Sequence, residues 1–413
     1  MKQNMKTVFV LMAIGITAGI IGIILTLLMH NIQDWAFGNG FYGDASFREL
    51  IEGVSPLHRF VVLLGAGGMA GIGWVCIHRY GTPLVDIKTT INNPEKSMPI
   101  WTTLGHNMLQ IITIALGSPL GKERAPREIS VVFADQLTRL FHINHDIYKR
   151  KVLLACASGA GLAAVYNTPL ASSLFIIETL LADWNVNAVG SALICCSTAV
   201  YIMRLGVGDL IQYPLPQVPF NETLIMWAVA AAPVIALFAY WFDKSTVWCH
   251  PLFSRKSPKM IGLAVIGFGA IGILSMYFPE ILGNGQAGNE LSFTFSIGWK
   301  EGAFLFGTKW IAVLLALGAG AYGGNITPSM MLGSMLALVT ALIWNGVLPE
   351  IPVAAAAFIG AAVFLGLTQK MPVTAAVFLL ELTRFSPAYL FPICGCFAVA
   401  LPLFHYLKEH IFF

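Results

Sequence analysis

Glu123 is the residue whose type and position best suit ion chemistry in this sequence. It lies in the stretch Gly117-Ser-Pro-Leu-Gly-Lys-Glu-Arg-Ala-Pro126, where glycine and proline interrupt an apolar region. Such an interruption predicts a helix N-terminus, whose free amides and positive dipole end bind anions. A carboxylate beside those amides can occupy the anion site itself and leave when it is protonated, which would make anion passage depend on pH. The alternative is that Glu123 only pairs with Lys122 or Arg124.

Two more interruptions predict helix ends of the same kind. They are Tyr80-Gly-Thr-Pro83 and Gly318-Ala-Gly-Ala-Tyr-Gly-Gly-Asn-Ile-Thr-Pro328. In each we expect a helix to begin just after the glycine and proline residues. Backbone without helical hydrogen bonds is tolerated at membrane depth only where it is packed in protein or lines a cavity. The three interruptions are therefore candidate parts of an ion path.

The composition of the chain indicates an integral membrane protein. Of the 413 residues, 57% are hydrophobic and only 11% are charged, whereas soluble domains carry about 25% charged residues. A soluble enzyme is therefore excluded, and the formal net charge of +3 gives no basic field for nucleic acid. Seven cysteines without a Cys-x-x-Cys pair and nine histidines without a His-Glu-x-x-His pattern predict no metal, disulfide framework or cofactor.

Apolar stretches predict many membrane helices. The first, Thr7 to Met29, is uncharged and long enough to cross about 30 Å of hydrocarbon. Lys2 and Lys6 precede it, which favours a cytoplasmic N-terminus. Further stretches centre near 60–78, 100–120, 152–180, 186–204, 223–242, 260–278, 302–323, 329–348, 352–368, 371–383 and 387–407.

The sequence repeats with an offset of 203 residues. The repeated pairs are Gly117 and Gly320, Gly121 and Gly324, Pro169 and Pro372, Phe175 and Phe378, and Glu178 and Glu381. Duplicated halves with interrupted segments at matching positions are typical of transporters built from inverted repeats. We predict one integrated membrane domain with a first repeat half at 1–205 and a second at 206–413. Pro214, Pro216 and Pro219 mark the join.

These residues resemble the CLC family of chloride channels and proton-coupled chloride antiporters. Gly121-Lys-Glu123 is similar to that family's Gly-Lys/Arg-Glu-Gly-Pro signature, and Gly323-Gly-Asn-Ile-Thr-Pro328 to its Gly-Gly-x-Phe-x-Pro. Tyr80-Gly-Thr-Pro83 is a poor version of Gly-Ser-Gly-Ile-Pro. The stretches 166–178 and 371–383 are similar to two conserved helices of the family. The resemblance implies an all-α membrane fold of two inverted-topology repeats with broken, tilted helices.

The same resemblance implies a role for each matching residue. Glu123 is the external gating glutamate. Anion-binding positions are implied at the amides of Gly121 to Arg124, at Asn325 and Ile326 in a central site, and at Gly81 and Thr82. Thr82, or else Tyr80, matches the family's serine. Lys122 and Arg124 belong to the first of these anion-binding positions. His106 stands where the family often has a lysine, and it supplies titratable positive potential or is only a packing residue.

The chain also departs from the family pattern. Arg124-Ala125 replaces Gly-Pro after the glutamate, so Arg124 could hold Glu123 ionised, add positive potential or extend outward without a role. Thr179 stands where proton-coupled members have an internal glutamate, which puts that proton route in doubt. Phe413 lies near the family's central-site tyrosine and has no hydroxyl. Glu178 and Glu381 are expected to brace their helices.

We therefore expect a multi-pass protein of the plasma or inner membrane that conducts chloride, as a voltage-gated-type channel or a proton-coupled antiporter, and not an enzyme. Its partners would be an inorganic anion, protons, the lipid bilayer and a second copy in a homodimer, with no nucleic acid. No segment after the last span would hold a cytosolic regulatory domain. The alternatives are a fluoride/proton antiporter of the same family, a non-transporting membrane scaffold or sensor, and a transporter of organic anions.

Overall fold

A computed structural model describes residues 2–38, 46–93, 95–143, 146–213, 215 and 220–410. The secondary structure of this part is helical, apart from one isolated backbone bridge. The α-helices are, in chain order, α1 Lys2–Phe37, α2 Phe47–Gly53, α3 Pro56–Tyr80, α4 Ile87–Asn92, α5 Ile100–Ala115, α6 Arg124–Leu140, α7 Ile147–Tyr166, α8 Pro169–Phe175, α9 Val186–Val207, α10 Thr223–Trp248, α11 Lys259–Tyr277, α12 Gln286–Phe293, α13 Trp299–Gly318, α14 Ile326–Asn345, α15 Val353–Gln369, α16 Pro372–Thr383 and α17 Leu390–His410.

Eight helices of the described part are long and apolar enough to cross a membrane, namely α1, α3, α9, α10, α11, α13, α14 and α17. Most predicted apolar stretches coincide with a helix. The stretch 152–180 is divided, because Asn167 ends α7 in the left-handed conformation and Pro169 begins α8. Helix α6 was not predicted as an apolar stretch, because it is amphipathic and carries several charged side chains.

The helices form two compact units that interleave along the chain. Unit 1 comprises the described residues of Met1–His30, Gly73–Ile112 and Lys122–Gln212. Unit 2 comprises those of Asn31–Ile72, Thr113–Gly121 and Tyr213–Phe413. These units are defined by packing and not by sequence repetition, so the predicted repeat halves at 1–205 and 206–413 stay a prediction.

In unit 1, α7 packs between α6 and α9 and is buried along almost its whole length. Gly161 permits close contact with α6, since a Cβ there would lie 2.4 Å from the Pro126 carbonyl oxygen. Arg150 and Asp135 form a buried ion pair with an N–O distance of 2.7 Å, and Arg150 also donates to the carbonyl of Thr90. Small residues and one paired charge therefore fix the helices around α6.

In unit 2, the main packing pairs are α14 with α15 and α10 with α17. Helix α15 is buried from Val353 to Thr368. At the crossing of α14 and α15, a Cβ on Gly333 would lie 2.3 Å from the Gly360 carbonyl oxygen. Such close approach of backbones through small residues is typical of membrane helix packing.

The backbone conformation supports the predicted sequence repeat. Gly117 and Gly320 both have positive φ, and so do Asn167 and Lys370, each pair 203 residues apart. The offset falls to 202 for the left-handed residues Ala182 and Arg384 that end the matching helices. A π-helical turn at Ile176–Leu181 explains the change, because such a turn takes up one extra residue.

Candidate functional site at the interrupted helices

Glu123 lies directly before the first residue of α6, in unit 1. Its side chain is buried, with 1% of the residue exposed, and it does not cap its own helix. The hydroxyl of Tyr166, the last residue of α7, donates a hydrogen bond to Glu123 Oε2 over 3.2 Å. The first amides of α6 have no acceptor within the helix. A buried carboxylate thus stands at a helix N-terminus that favours negative charge.

Lys122 supplies a buried cation next to this carboxylate. It is 6% exposed, and its Nζ lies 5.6 Å from the centre of the Tyr166 ring. Lys122 and Tyr166 line a cavity of about 40 Å³ together with Thr26, His30 and Gln212. Gln212 Oε1 is buried and finds no hydrogen-bond partner among the described residues. The cavity therefore combines several polar groups and one lysine with apolar side chains.

Arg124 finds a carboxylate one turn along its own helix. Its Nε lies 2.7 Å from Oε1 of Glu128, which is buried, while 39% of the Arg124 side chain is exposed. Arg127 lies with its guanidinium 4.5 Å from the centre of the Phe175 ring and donates to Ser158 Oγ. From the sequence, Arg124 was expected to hold Glu123 ionised, to add positive potential or to extend outward without a role. Its ion pair with Glu128 was not predicted.

Gly121 forms two backbone hydrogen bonds with Gly324, its counterpart in the sequence repeat, and both residues belong to unit 2. The Gly121 amide donates to the Gly324 carbonyl over 2.7 Å, and the Gly324 amide donates back over 2.8 Å. The prediction that the Gly121 amide helps to bind an anion needs correction, because that amide already has an acceptor. Of the anion-binding amides predicted at Gly121 to Arg124, those of Lys122, Glu123 and Arg124 remain candidates.

The interruption before α14 has the predicted form. The helix begins at Ile326 directly after Gly323 and Gly324, with Asn325 in the capping position and no side-chain cap. A Cβ on Gly323 would lie 2.3 Å from the Leu120 Cβ, so glycine is required there. Asn325 Oδ1 is buried without a hydrogen-bond partner in the described chain. This N-terminus, in unit 2, has the dipole and amides of an anion site.

The prediction of a helix N-terminus directly after Pro83 is wrong. Tyr80 is the exposed last residue of α3, and the Gly81 amide donates to the Ile77 carbonyl as part of that helix end. The Thr82 amide and hydroxyl both bond to Thr102 Oγ1. The next helix, α4, begins only at Ile87.

The N-terminus of α4 is capped by the carboxylate of Asp86, the residue directly before the helix. Asp86 accepts a hydrogen bond from the Thr89 amide over 2.9 Å. Burial acts to raise the pKa of Asp86, but its hydrogen bonds with Thr89 lower it overall. Because Gly81 and Thr82 follow a helix C-terminus and α4 has its own acidic cap, this segment offers an anion no free helix end.

The remaining predicted positions are spread over the chain. His106 is buried on α5, its ring centre 6.4 Å from that of Trp74. Thr179 lies in the π-helical turn, and its Oγ1 is buried with no partner in the part of the chain that the structure describes. Phe413 lies outside the described residues, as do Pro214, Pro216 and Pro219 at the predicted join.

Two residues of this neighbourhood were not predicted, Tyr166 and Glu128. Tyr166 is 43 residues from Glu123 in the chain, so no local pattern links them. The charged run at 122–128 was the available signal for Glu128, because a carboxylate four residues after an arginine can pair with it on a helix.

The fold and these helix ends define a polytopic helical membrane protein with interrupted helices. The sequence pattern of the family described as "Voltage gated chloride channel" matches residues 67–403. The chain therefore belongs to this family, the CLC family, as its motifs indicated.

Relatives and solved structures agree with this membership. The chain is 24% identical over 361 residues to the H(+)/Cl(-) exchange transporter ClcA of Vibrio parahaemolyticus, covering 84% of this chain and 74% of the relative. It is 25% identical over 343 residues to the voltage-gated ClC-type chloride channel ClcB of Salmonella dublin, covering 80% and 81%. A slow cyanobacterial Cl-/H+ antiporter has the same fold, with a TM-score of 0.82, 20% identity, and coverage of 98% and 95%. A CLC-type fluoride/proton antiporter also has this fold, with a TM-score of 0.76 and 18% sequence identity. The match covers 97% of this chain and 95% of that structure's chain.

Proposed function

We propose that this protein carries chloride across a membrane and that Glu123 gates the passage in response to pH. The single observation that carries the proposal is the buried Glu123 carboxylate at the N-terminus of α6. Membership of the family and the similarity to ClcA and ClcB support chloride as the ion. The anion would lose part of its hydration shell to helix-end amides, at the N-terminus of α6 and at that of α14.

The gate follows from competition between two negative groups. While it is ionised, the Glu123 carboxylate lies where the first turn of α6 favours negative charge, so an anion is repelled from the same place. Protonation removes the charge and weakens the hold of the helix end on the side chain. An anion can then take its position, and Lys122, buried beside Tyr166, keeps the local potential positive.

Chloride flux from liposomes containing purified protein tests the proposal, measured between pH 4 and pH 7.5. We expect flux in the wild type to rise as the pH falls, and Glu123→Gln to remove most of this dependence. Glu178→Gln is the matched control, because Glu178 lies in the π-helical turn of the same unit. Unchanged pH dependence in Glu123→Gln would contradict the gate.

The same vesicles also test whether chloride movement is coupled to protons and which anion is carried. Reversal potentials in a pH gradient distinguish a coupled antiporter from a channel. Replacing chloride with fluoride tests the alternative anion, and a signal with fluoride only would overturn the choice of chloride. Absence of any ion flux would instead favour a membrane scaffold or sensor.

We also propose that the protein is a homodimer in the cell membrane. Eight apolar helices support a multi-pass arrangement. Light scattering of the detergent-solubilised protein would test the dimer, and membrane fractionation would test the location.

A further inference from the structure

Helix α5 buries a polar face. Thr103, His106, Asn107 and Gln110 are each at most 1% exposed. They are three or four residues apart, which places them on one side of the helix. Burying four polar side chains in a membrane protein is unfavourable unless they bind partners or serve a function. This face therefore calls for a physical explanation.

The polar face contacts a buried carboxylate on α6. Asn107 Nδ2 donates to Glu128 Oε2 over 3.0 Å and to the Thr103 carbonyl over 2.9 Å. Glu128 is 3% exposed, and its other oxygen accepts from Arg124 Nε. The polar atoms thus continue from α5 through Glu128 to Arg124, the residue that follows Glu123.

Two polar atoms of this face lack a protein partner. Thr103 Oγ1 and Asn107 Oδ1 are buried, and neither has a hydrogen-bond partner among the residues that the structure describes. Buried polar atoms of this kind are normally satisfied by ordered water. Residues four apart are separated by about 6 Å along a helix axis. Water molecules that satisfied these two atoms would link neighbouring side chains of the face.

Several charged or titratable side chains lie near Glu128. Arg127 interacts electrostatically with Glu123, Arg124 and Glu128, and His106 is the titratable group on the α5 face. On the other side, α7 approaches α6 with Ser158 and Gly161. Protonation of Glu128 would leave Arg124 without this carboxylate partner, and 39% of the Arg124 side chain is exposed.

We propose that Glu128 is the carboxylic acid that exchanges protons with Glu123, and that the polar face of α5 conducts protons to it through bound water. The inference rests on the proposed chloride function and adds the proton route to it. Thr179, at the position where a carboxylate was expected from the family, cannot carry a proton in this way because a hydroxyl does not ionise near neutral pH.

The transfer balances in two steps. Glu128 starts as the carboxylate, since both of its oxygens accept hydrogen bonds, and it first takes a proton from the water on the α5 face. It then passes that proton through water to the Glu123 carboxylate, which becomes neutral, and Glu128 returns to its ionised state. Five helical residues correspond to a backbone rise of about 7.5 Å along the axis, so the proposal places at least one water between the two carboxylates.

The test measures chloride efflux and proton uptake together, in liposomes with an outward chloride gradient. We expect Glu128→Gln to lower the ratio of protons to chloride at least tenfold. Thr103→Val, which keeps the side-chain shape and removes the hydroxyl, should lower the ratio severalfold. Glu178→Gln is the control and should keep the wild-type ratio.

The outcomes separate this inference from the proposed function. Absence of chloride flux in the wild type would overturn the proposed function, whereas chloride flux without proton movement would overturn only the proton route. A wild-type ratio in Glu128→Gln would also overturn it. If Glu128→Gln does not yield folded protein, Thr103→Val decides, and an unchanged ratio there counts against the proposal.

Discussion

Under the proposed gate at Glu123, removing the hydroxyl of Tyr166 should shift the pH of half-maximal chloride flux. The phenol donates to Glu123 Oε2 over 3.2 Å, in a buried setting. A hydrogen bond to a charged group contributes about 1.5–3 kcal/mol. Since 3.2 Å is long for an O–H···O bond, the lower end of that range applies, about 1.5 kcal/mol.

The direction of this pH shift depends on which protonation state of Glu123 the hydrogen bond from Tyr166 stabilises. The hydroxyl stabilises the ionised carboxylate in its position at the end of α6, so Tyr166→Phe should favour the protonated, displaced side chain. A change of about 1.4 kcal/mol corresponds to one pH unit. The pH of half-maximal chloride flux should therefore rise by about one unit.

Chloride efflux from liposomes between pH 4 and pH 7.5 measures this midpoint. Tyr213→Phe is a suitable control, because Tyr213 is equally buried and its hydroxyl bonds to Asn289 instead. A midpoint that stays within about 0.2 pH units of wild type, or that falls, would refute the reasoning for a folded variant. A shift of the same size in Tyr213→Phe would show a general effect of losing a buried hydroxyl.

Two further predictions concern stability. Gly323→Ala places a Cβ 2.3 Å from the Leu120 Cβ and should destabilise the protein by about 1–3 kcal/mol. Gly307→Ala is the control, because the space around Gly307 is open. Thermal unfolding in detergent compares the two variants, and equal melting temperatures would contradict the packing argument. Asp146→Ala removes the cap of α7 and should cost about 1 kcal/mol at pH 7. Hydrogen bonds from Lys149 lower the pKa of Asp146 from its usual 3.8, so the stabilisation is present above that value and is lost as the pH falls below it. The melting temperatures of wild type and variant should therefore draw closer as the pH is lowered below 3.8, and a gap that stays equal from pH 7 to the lowest pH measured would exclude the charged cap as the cause.

The sequence by itself determined the class of protein and most of its helices. Long apolar stretches can satisfy their backbone in a membrane only as helices or closed barrels, so composition and length were sufficient for that. The positions of Gly117 and Gly320, with their positive φ, were marked by local residue type. The CLC motifs and the 203-residue repeat are likewise readable along the chain.

At Tyr80–Pro83 the local sequence pattern predicted a helix N-terminus that the structure does not have there. Glycine and proline end a helix as readily as they precede one, and here they end α3. The next helix starts at Ile87, capped by Asp86. Nothing in four residues of sequence distinguishes the two cases, because the outcome depends on the hydrogen bonds between Thr82 and Thr102, twenty residues away.

Only the tertiary structure decided which groups surround Glu123. Tyr166 reaches it from the end of α7, Asn107 reaches Glu128 from α5, and Gly121 pairs with Gly324 across 203 residues of chain. These contacts join residues whose separation follows no helical period. Helix propensity and hydropathy act over a few residues, whereas the hydrogen bonds of a buried polar group depend on which other helix packs against it. The sequence therefore identified the carboxylate, and the packing of α5, α6 and α7 selected its neighbours.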